Sequence, residues 1–256
     1  MTKAFDPHQA MADARHEFGE HGGVNMSIEA STTFTVMTPD LMPEIFAGQL
    51  GPNEGGCYLY GRHFNPTVFV LGRMVAAMEG AEAGYGTASG LSAIAAVIMQ
   101  KCGGGGKVVS SNTLYGGTYA LFEKYLPKNC NIETSFIDIK DLEAVEKAMQ
   151  NGASVLYTES LSNPTLLTAD ISALAEIAHK YDAMLVVDNT FTPLIFSPIQ
   201  EGADVVIHSA TKFLSGASDV IAGVICCSKS FIEELMDLHL GSLMLLGPTM
   251  DPIVAF

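Results

Sequence analysis

The chain of 256 residues has few basic side chains and no long apolar segment. Lysine and arginine number 13 against 28 acidic residues, giving a net charge of −15, whereas proteins that track phosphates need clustered basic side chains. No apolar run reaches the roughly 18 residues of a membrane span, and the first residues lack the apolar segment of a signal peptide. We therefore expect neither nucleic acid nor a membrane as a partner, and a cytoplasmic protein.

The cysteines are also few, and their spacing fits neither a disulfide framework nor a metal site. The five are Cys57, Cys102, Cys130, Cys226 and Cys227, with no C-x-x-C pair and no histidine at zinc-binding spacing. An odd number without framework spacing fits a reducing compartment. We expect five ordinary thiols and no bound metal.

Strand and helix patterns alternate along most of the chain. Runs typical of strands occupy 107–110, 132–137, 155–157, 184–187, 204–207 and 221–226. Helical patterns occupy 68–78, 91–100, 119–125, 142–149 and 171–179. This alternation predicts an α/β fold with a doubly wound, mostly parallel sheet. Residues 1–60 are irregular, and we expect them to form an extended arm that packs on another surface, such as another subunit.

Two of the predicted strands end in polar residues that suit one cofactor. One ends in Asp188, and the other leads into Ser209, Thr211 and Lys212. Ligands of open α/β sheets bind outside the carboxyl ends of the strands, so a carboxylate and an amine should face one crevice. Pyridoxal phosphate (PLP) needs an acid at its ring nitrogen and a covalent amine. The alternatives are a turn cap for Asp188 and a surface position for Lys212.

Three other segments carry candidate cofactor contacts. The small-residue segment 86–91 leads into a helix, whose first N–H groups favour phosphate, although an ordinary capped helix start is the alternative. Tyr115 lies on a glycine-rich turn and could stack on a planar cofactor or pack in the core. Arg62 has the forked guanidinium that suits phosphate, although it could be a plain surface arginine.

Two nucleotide-binding patterns are incomplete in this chain. The run 103–107 resembles a P-loop, but Val108 replaces the required hydroxyl residue and the run precedes a strand. The run 84–89 approaches the dinucleotide fingerprint, but Ser89 replaces the third glycine and no clear strand precedes it. A hydrolase elbow is not satisfied around Ser89 either. A dehydrogenase is thus only a third alternative.

Six ordered segments resemble the Cys/Met-metabolism family of PLP enzymes, also called the transsulfuration or cystathionine γ-synthase-like family. They are 60–67, 88–91, 112–118, 159–165, 187–191 and 208–216. The resemblance implies the large domain of PLP fold type I (aspartate aminotransferase-like) over 61–256, after an inter-subunit arm over 1–60. It also implies a homotetramer built from dimers that share active sites. The family's C-terminal domain, which supplies an arginine for the substrate carboxylate, would lie beyond residue 256.

The resemblance implies catalytic roles for individual residues. Lys212 would bind PLP covalently and move protons. Tyr115 would stack on the ring and act as an acid or base toward the leaving group. Asp188 would pair with the ring nitrogen, while Glu159 and Asn163 would lie near the ring, with Asn163 at its hydroxyl.

The resemblance also implies how the phosphate is held. Backbone N–H groups next to Ser89, together with two hydroxyls, would bind it within the subunit; these residues are Gly90, Leu91, Ser209 and Thr211. Tyr60 and Arg62 would reach the phosphate of a neighbouring subunit. PLP is therefore the expected cofactor, and a sulfur-containing amino acid the expected substrate.

Within the family, segments 60–67 and 241–250 resemble methionine γ-lyases. The implied reaction is α,γ-elimination of L-methionine to methanethiol, 2-oxobutanoate and ammonia. Gly117 departs from the cysteine of well-studied bacterial methionine γ-lyases and matches cystathionine γ-lyases and O-acetylhomoserine sulfhydrylases. The alternatives are one of these enzymes, a cystathionine γ-synthase, or an inert PLP-binding chain truncated before the C-terminal domain.

Overall fold

The computed structural model describes residues 4–16, 19–51, 56–246 and 249–256. Residues 247 and 248, which belong to the segment 241–250, lie outside the described residues. All five cysteines are free, as expected from their spacing. Among the described residues, no helix has the length and apolar character needed to cross a membrane.

One sheet of seven strands organises the described residues. The strands are β1 (Ala83–Thr87), β2 (Lys107–Ser111), β3 (Glu133–Ile137), β4 (Val155–Glu159), β5 (Met184–Asp188), β6 (Val205–His208) and β7 (Gly223–Cys227). Their order is β1-β7-β6-β5-β4-β2-β3, and β7 alone runs antiparallel to both of its neighbours. The other pairs are parallel, so the predicted mostly parallel sheet is confirmed. Its central strands are buried on both faces, which explains their continuous apolar runs.

Helices connect the strands and cover the sheet. Those described are α1 (Pro7–Asp13), α2 (Met42–Phe46), α3 (Pro66–Glu79), α4 (Gly90–Cys102), α5 (Gly116–Ala120), α6 (Leu126–Cys130), α7 (Leu142–Met149), α8 (Ile171–Lys180), α9 (Lys229–Leu235), α10 (Ser242–Leu246) and α11 (Pro252–Ala255). A π-helical turn at 121–125 joins α5 to α6. Side chains of Asn65, Ser89, Asp141 and Asp170 cap the long helices at their first turns, where backbone N–H groups lack helical partners.

Strand β1 corrects the statement that no strand precedes Ser89. The segment is rich in small residues because it lies against α3 at close range. A Cβ atom on Gly84 would lie 2.5 Å from the carbonyl oxygen of Gly72. Helix–strand packing therefore requires glycine here, and the missing side chains remove the apolar pattern by which strands are detected in a sequence.

The first sixty residues contain more structure than the sequence indicates. Helix α1 packs against α3, and α2 follows a short 3-10 turn, while the rest of the described segment is irregular. Its middle is attached to the start of α3, because the Asn65 side chain donates to the Glu29 carbonyl at 2.7 Å and the Glu29 N–H donates to the Thr67 hydroxyl. The division at residue 60 and the inter-subunit role of the arm stay predictions.

Candidate active site at the carboxyl ends of the strands

Most of the predicted site residues lie at the carboxyl ends of the strands. Asp188 and Glu159 end β5 and β4 and are direct register partners. Ser209 follows β6, and Ser89 follows β1, which runs in the same direction as β6 because β7 is antiparallel to both. The crevice at this edge is where an open α/β sheet binds its ligand.

Asp188 is held at the strand end by short-range hydrogen bonds. Its Oδ1 accepts the N–H of Thr190 at 3.0 Å, and the hydroxyl of the fully buried Tyr157 lies 3.5 Å from Oδ2. Burial raises the pKa of Asp188, while the Thr190 hydrogen bonds and the nearby His208 oppose that rise. A cationic group bound next to Asp188 would favour its charged form, as the predicted contact with a protonated ring nitrogen would do.

Glu159 joins two loops through its carboxylate. Oε1 accepts the N–H of Tyr115 at 2.7 Å, and Oε2 accepts the N–H of Asn163 at 2.8 Å. Burial raises the pKa of Glu159 to about 7; the two N–H donors oppose the rise and the neighbouring Asp188 adds to it. Glu159 thus fixes the backbone positions from which Tyr115 and Asn163 present their side chains.

This raised pKa predicts a pH-dependent stability. The folded cofactor-free protein binds a proton at Glu159 more tightly than the unfolded chain, so the contribution of Glu159 to stability is greatest below pH 4.5 and is lost as pH rises through about 7. Between pH 4.5 and about 7 the loss should be about 2 to 3 kcal/mol. Urea unfolding at several pH values should show this loss in the wild type and in the exposed Glu143→Gln control. Glu159→Gln should lack it, and an unchanged pH dependence there would contradict the assignment.

The first turn of α4 offers unpaired N–H groups to an anion. The Ser89 side chain accepts the N–H of Ser92, and its carbonyl accepts that of Ala93. Within the described ranges, the N–H groups of Gly90 and Leu91 have no hydrogen-bond partner. A Cβ atom on Gly90 would lie 2.7 Å from the Cβ atom of Ser209, so the helix start and Ser209 are brought together. These two donors and the Ser209 hydroxyl fit a phosphate.

The residues after β6 differ in how freely their side chains can reach a ligand. Lys212 is exposed, and none of the described residues forms a hydrogen bond or ion pair with its amine. The Thr211 hydroxyl donates to the Ala222 carbonyl at 3.2 Å and accepts the Ala222 N–H at 3.1 Å. Its hydroxyl proton is thus directed at the backbone of Ala222, and its phosphate contact stays a prediction.

Tyr115 projects from the loop that Glu159 holds. Its side chain is 52% exposed, so it is not a core aromatic. A Cβ atom on Gly117 would lie 2.5 Å from the ring atom Cε1 of Tyr115. The ring therefore occupies space that any larger residue at 117 would take.

Gly117→Ala should consequently displace the Tyr115 ring. Because the obstacle is a flexible side chain, we expect the protein to fold with little loss of stability while kcat falls more than substrate affinity. The checks are kcat and KM, with the tyrosine environment followed by near-ultraviolet circular dichroism. Gly116→Ala is the matched control, since a Cβ atom there has no atom within 4 Å. Equal effects of the two substitutions would contradict the prediction.

Three further predicted residues are placed in two different ways. Tyr60 and Arg62 contact each other, whereas Asn163 lies next to Glu159. Arg62 is exposed, donates to the Met244 carbonyl at 3.2 Å and lies over the Tyr60 ring at 5.6 Å. No described hydrogen bond joins Tyr60 or Arg62 to the strand-end site, and their contact with a neighbouring subunit stays a prediction. Asn163 precedes a cis proline, is half-buried and donates its N–H to Glu159; its place near the cofactor ring stays a prediction.

Sequence reasoning missed Thr190, which connects two of the predicted cofactor residues. Its N–H donates to Asp188, and its Oγ1 accepts the Ser209 N–H at 2.7 Å. The hydroxyl two positions beyond a strand-ending aspartate was the available signal. Its partner on the next strand could not be read from the local sequence.

The site fits PLP as judged from its own donors and acceptors. The two free N–H groups of Gly90 and Leu91 suit the phosphate, Asp188 suits the ring nitrogen, and the Lys212 amine, which none of the described residues binds, suits a covalent linkage to the aldehyde. No cluster of metal ligands is found among the described residues.

Comparisons with known proteins agree with this fit. Residues 8–256 match the family model described as Cys/Met metabolism PLP-dependent enzyme. Methionine γ-lyase from Arabidopsis thaliana is 58% identical over 252 residues, which cover 98% of this chain and 57% of that protein. O-Succinylhomoserine sulfhydrylase from Pseudomonas aeruginosa is 38% identical over 239 residues, covering 93% of this chain and 56% of that protein. The chain thus spans little more than half the length of these relatives.

A solved structure extends the likeness to the fold and the cofactor. The metY protein from Campylobacter jejuni, with N′-pyridoxyl-lysine-5′-monophosphate, matches with a TM-score of 0.87 and 26% identity, covering 98% of this chain and 68% of that one. The predicted PLP fold type I architecture and the predicted cofactor are therefore confirmed. The chain belongs to the Cys/Met metabolism family of PLP-dependent enzymes.

Proposed function

We propose that this protein catalyses the α,γ-elimination of L-methionine to methanethiol, 2-oxobutanoate and ammonia. The observation that carries the proposal is the grouping of Lys212, Asp188 and the free N–H groups of α4 at one sheet edge, with Tyr115 held next to it by Glu159. The identity of 58% to a methionine γ-lyase supports the choice of substrate.

Each residue of the site has a chemical task in this proposal. When bound, PLP supplies an electron sink for the charge that develops at the substrate α-carbon. Asp188 keeps the positive charge at the ring nitrogen on which that sink depends. The exposed amine of Lys212 binds the cofactor, and once released by the substrate it accepts the α-proton and moves protons along the substrate.

Tyr115 acts where the thiolate leaves. Its exposed side chain reaches out from the first turn of α5, while its backbone is fixed by the Glu159 carboxylate. A phenol near the γ-sulfur can protonate the leaving thiolate, and general acid catalysis of this kind contributes about 10²- to 10⁴-fold in rate. Because the backbone is held by Glu159 and the ring is exposed, the phenol is open to that contact when substrate binds.

A second candidate is another transsulfuration reaction on the same site, such as that of a cystathionine γ-lyase, a cystathionine γ-synthase or an O-acetylhomoserine sulfhydrylase. Gly117 favours it, because cystathionine γ-lyases and O-acetylhomoserine sulfhydrylases also resemble this chain in having glycine at that position. The likeness to an O-succinylhomoserine sulfhydrylase also supports it. A chain that binds PLP without turnover is the third possibility.

Spectra and product analysis separate these functions. The purified protein should absorb visible light through its lysine-bound cofactor, and L-methionine should change that spectrum. Mass spectrometry on methionine, cystathionine and O-acetylhomoserine should find methanethiol and 2-oxobutanoate formed fastest from methionine. Faster turnover of another substrate would select the second candidate, and a coloured but inert protein the third.

We also propose that the protein acts in the cytoplasm as a homotetramer built from two dimers that share active sites. The five free cysteines support a reducing compartment. Arg62 and Tyr60, exposed and joined to each other rather than to the site of their own chain, support a role in a neighbouring subunit. Analytical ultracentrifugation of the wild type and Arg62→Ala, together with PLP binding, would test that role.

A further inference from the structure

A buried polar cluster lies directly behind the proposed cofactor contacts. Glu79, at the end of α3, is 1% exposed, as is His208, and Asn189 is fully buried. His208 Nε2 donates to Glu79 Oε1 at 2.7 Å, and Asn189 Nδ2 donates to the same oxygen at 2.9 Å. None of these side chains has a task in the proposed reaction.

The cluster belongs to a closed ring of contacts that includes the site. Asn189 is followed in the chain by Thr190, whose Oγ1 accepts the Ser209 N–H at 2.7 Å. Ser209 is preceded by His208, whose bond to Glu79 closes the ring. Asp188 is attached to this ring by the Thr190 N–H at 3.0 Å. Every link is either a peptide bond or a hydrogen bond of normal length.

Alternation along the strands gives the ring two sides. The side chains of Asn189 and His208 point to Glu79 of α3. Successive side chains of a strand point to opposite faces, so their chain neighbours Asp188 and Ser209 face the side on which the cofactor is proposed to bind. Ser209 there lies against the first residue of α4, as the short Gly90 distance shows. The hydrogen bonds of the Glu79 side chain therefore connect it to the cofactor side through the ends of β5 and β6.

Stability alone does not account for the cluster. Burying polar side chains costs their hydration, and apolar residues of similar size often stabilise a core as well or better. Within the described residues, Glu79 Oε2 and His208 Nδ1 have no hydrogen-bond partner. An incompletely paired polar group in the core costs stability, so its presence points to a requirement for geometry.

We propose that the Glu79–His208–Asn189 cluster is a positioning device that, through Thr190, fixes Asp188 relative to Ser209. It would set the distance between Asp188, which contacts the ring nitrogen, and Ser209, which contacts the phosphate. That distance would determine the position of the cofactor relative to Lys212. The inference rests on the proposed roles of Asp188 and Ser209. Glu79, His208, Asn189 and Thr190 are thus positioning residues without direct contact with substrate.

The test measures PLP binding rather than turnover. Cofactor-free wild type, Glu79→Gln and Thr190→Val are titrated with PLP, and the visible absorption spectrum and dissociation constant are recorded alongside the melting temperature. Glu79→Gln keeps the size of the side chain and removes its charge. Thr190→Val removes the hydroxyl that accepts the Ser209 N–H and also bonds to Asp188, and it keeps the backbone N–H that holds Asp188. Val75→Ala, a buried truncation on the same helix, is the control for a loss of stability alone.

We expect about tenfold weaker PLP binding and an altered spectrum in both positioning variants, as the loss of about one hydrogen bond would give. Val75→Ala should lower the melting temperature with the wild-type spectrum and affinity. If Glu79→Gln does not fold, Thr190→Val decides the question. Wild-type binding and spectrum in the folded variants would overturn the inference and leave the proposed function standing. A wild type that does not attach PLP at Lys212 would overturn both.

Discussion

Lys212→Ala is expected to lose the visible absorbance of lysine-bound cofactor and all measurable turnover of L-methionine. The amine supplies both the covalent attachment and the proton transfers, so its removal takes away two contributions at once. Proton transfer by a positioned side chain alone is worth about 10²- to 10⁴-fold, and we expect a fall in kcat of at least the larger value. Absorbance and product formation measure the two losses separately.

The matched control for Lys212 is another exposed lysine. Lys140→Ala replaces a lysine that follows β3, and both absorbance and turnover should stay at the wild-type level. Because Lys212 is exposed and none of the described residues pairs with its amine, its replacement should barely change the melting temperature. Turnover of methionine by Lys212→Ala would refute the assignment of the site.

Asp188→Asn should retain the fold and lose most of the activity. The amide preserves the size of the side chain and an acceptor for the Thr190 N–H, but it removes the charge that would pair with the ring nitrogen. Leaving one member of a buried charge pair without its partner costs about 3 to 5 kcal/mol, which corresponds to roughly 10²- to 10⁴-fold in kcat. Steady-state kinetics and the absorption spectrum of the bound cofactor provide the measurements.

The control for Asp188 lies at the opposite edge of the same strands. Asp204 precedes β6, and its carboxylate accepts the N–H of Leu185 at 2.7 Å. Asp204→Asn should affect stability more than turnover, with an unaltered spectrum. The role of Asp188 would be contradicted if the two substitutions lowered kcat equally.

Local patterns in the sequence predict most of the secondary structure. Helix α7 occupies the predicted 142–149, and strands β2, β4 and β5 each begin at the predicted residue, because an apolar run between turn residues is itself the signal. Strand β1 was missed, since its side chains are reduced to fit against α3. The π-helical turn at 121–125 and the antiparallel direction of β7 also leave no clear mark on the local pattern.

The candidate site was likewise predictable from the sequence only in part. Asp188, Ser209 and Lys212 follow strands, so the rule that ligands bind at the carboxyl ends of a parallel sheet was enough to select them. The direction of the Thr211 hydroxyl toward Ala222 and the attachment of Glu159 to two backbone N–H groups were not predictable. Such hydrogen bonds depend on where other segments of the chain are packed.

The sequence by itself thus determines the α/β class, the family and the polar strand ends that suit PLP, because each rests on residues close together in the chain. Only the tertiary structure decides how those ends are held. Glu79 lies 110 residues from Asn189 and 129 from His208, yet one of its oxygens binds both. Contacts over such separations arise from burial and packing of whole elements, and no local pattern of residues encodes them.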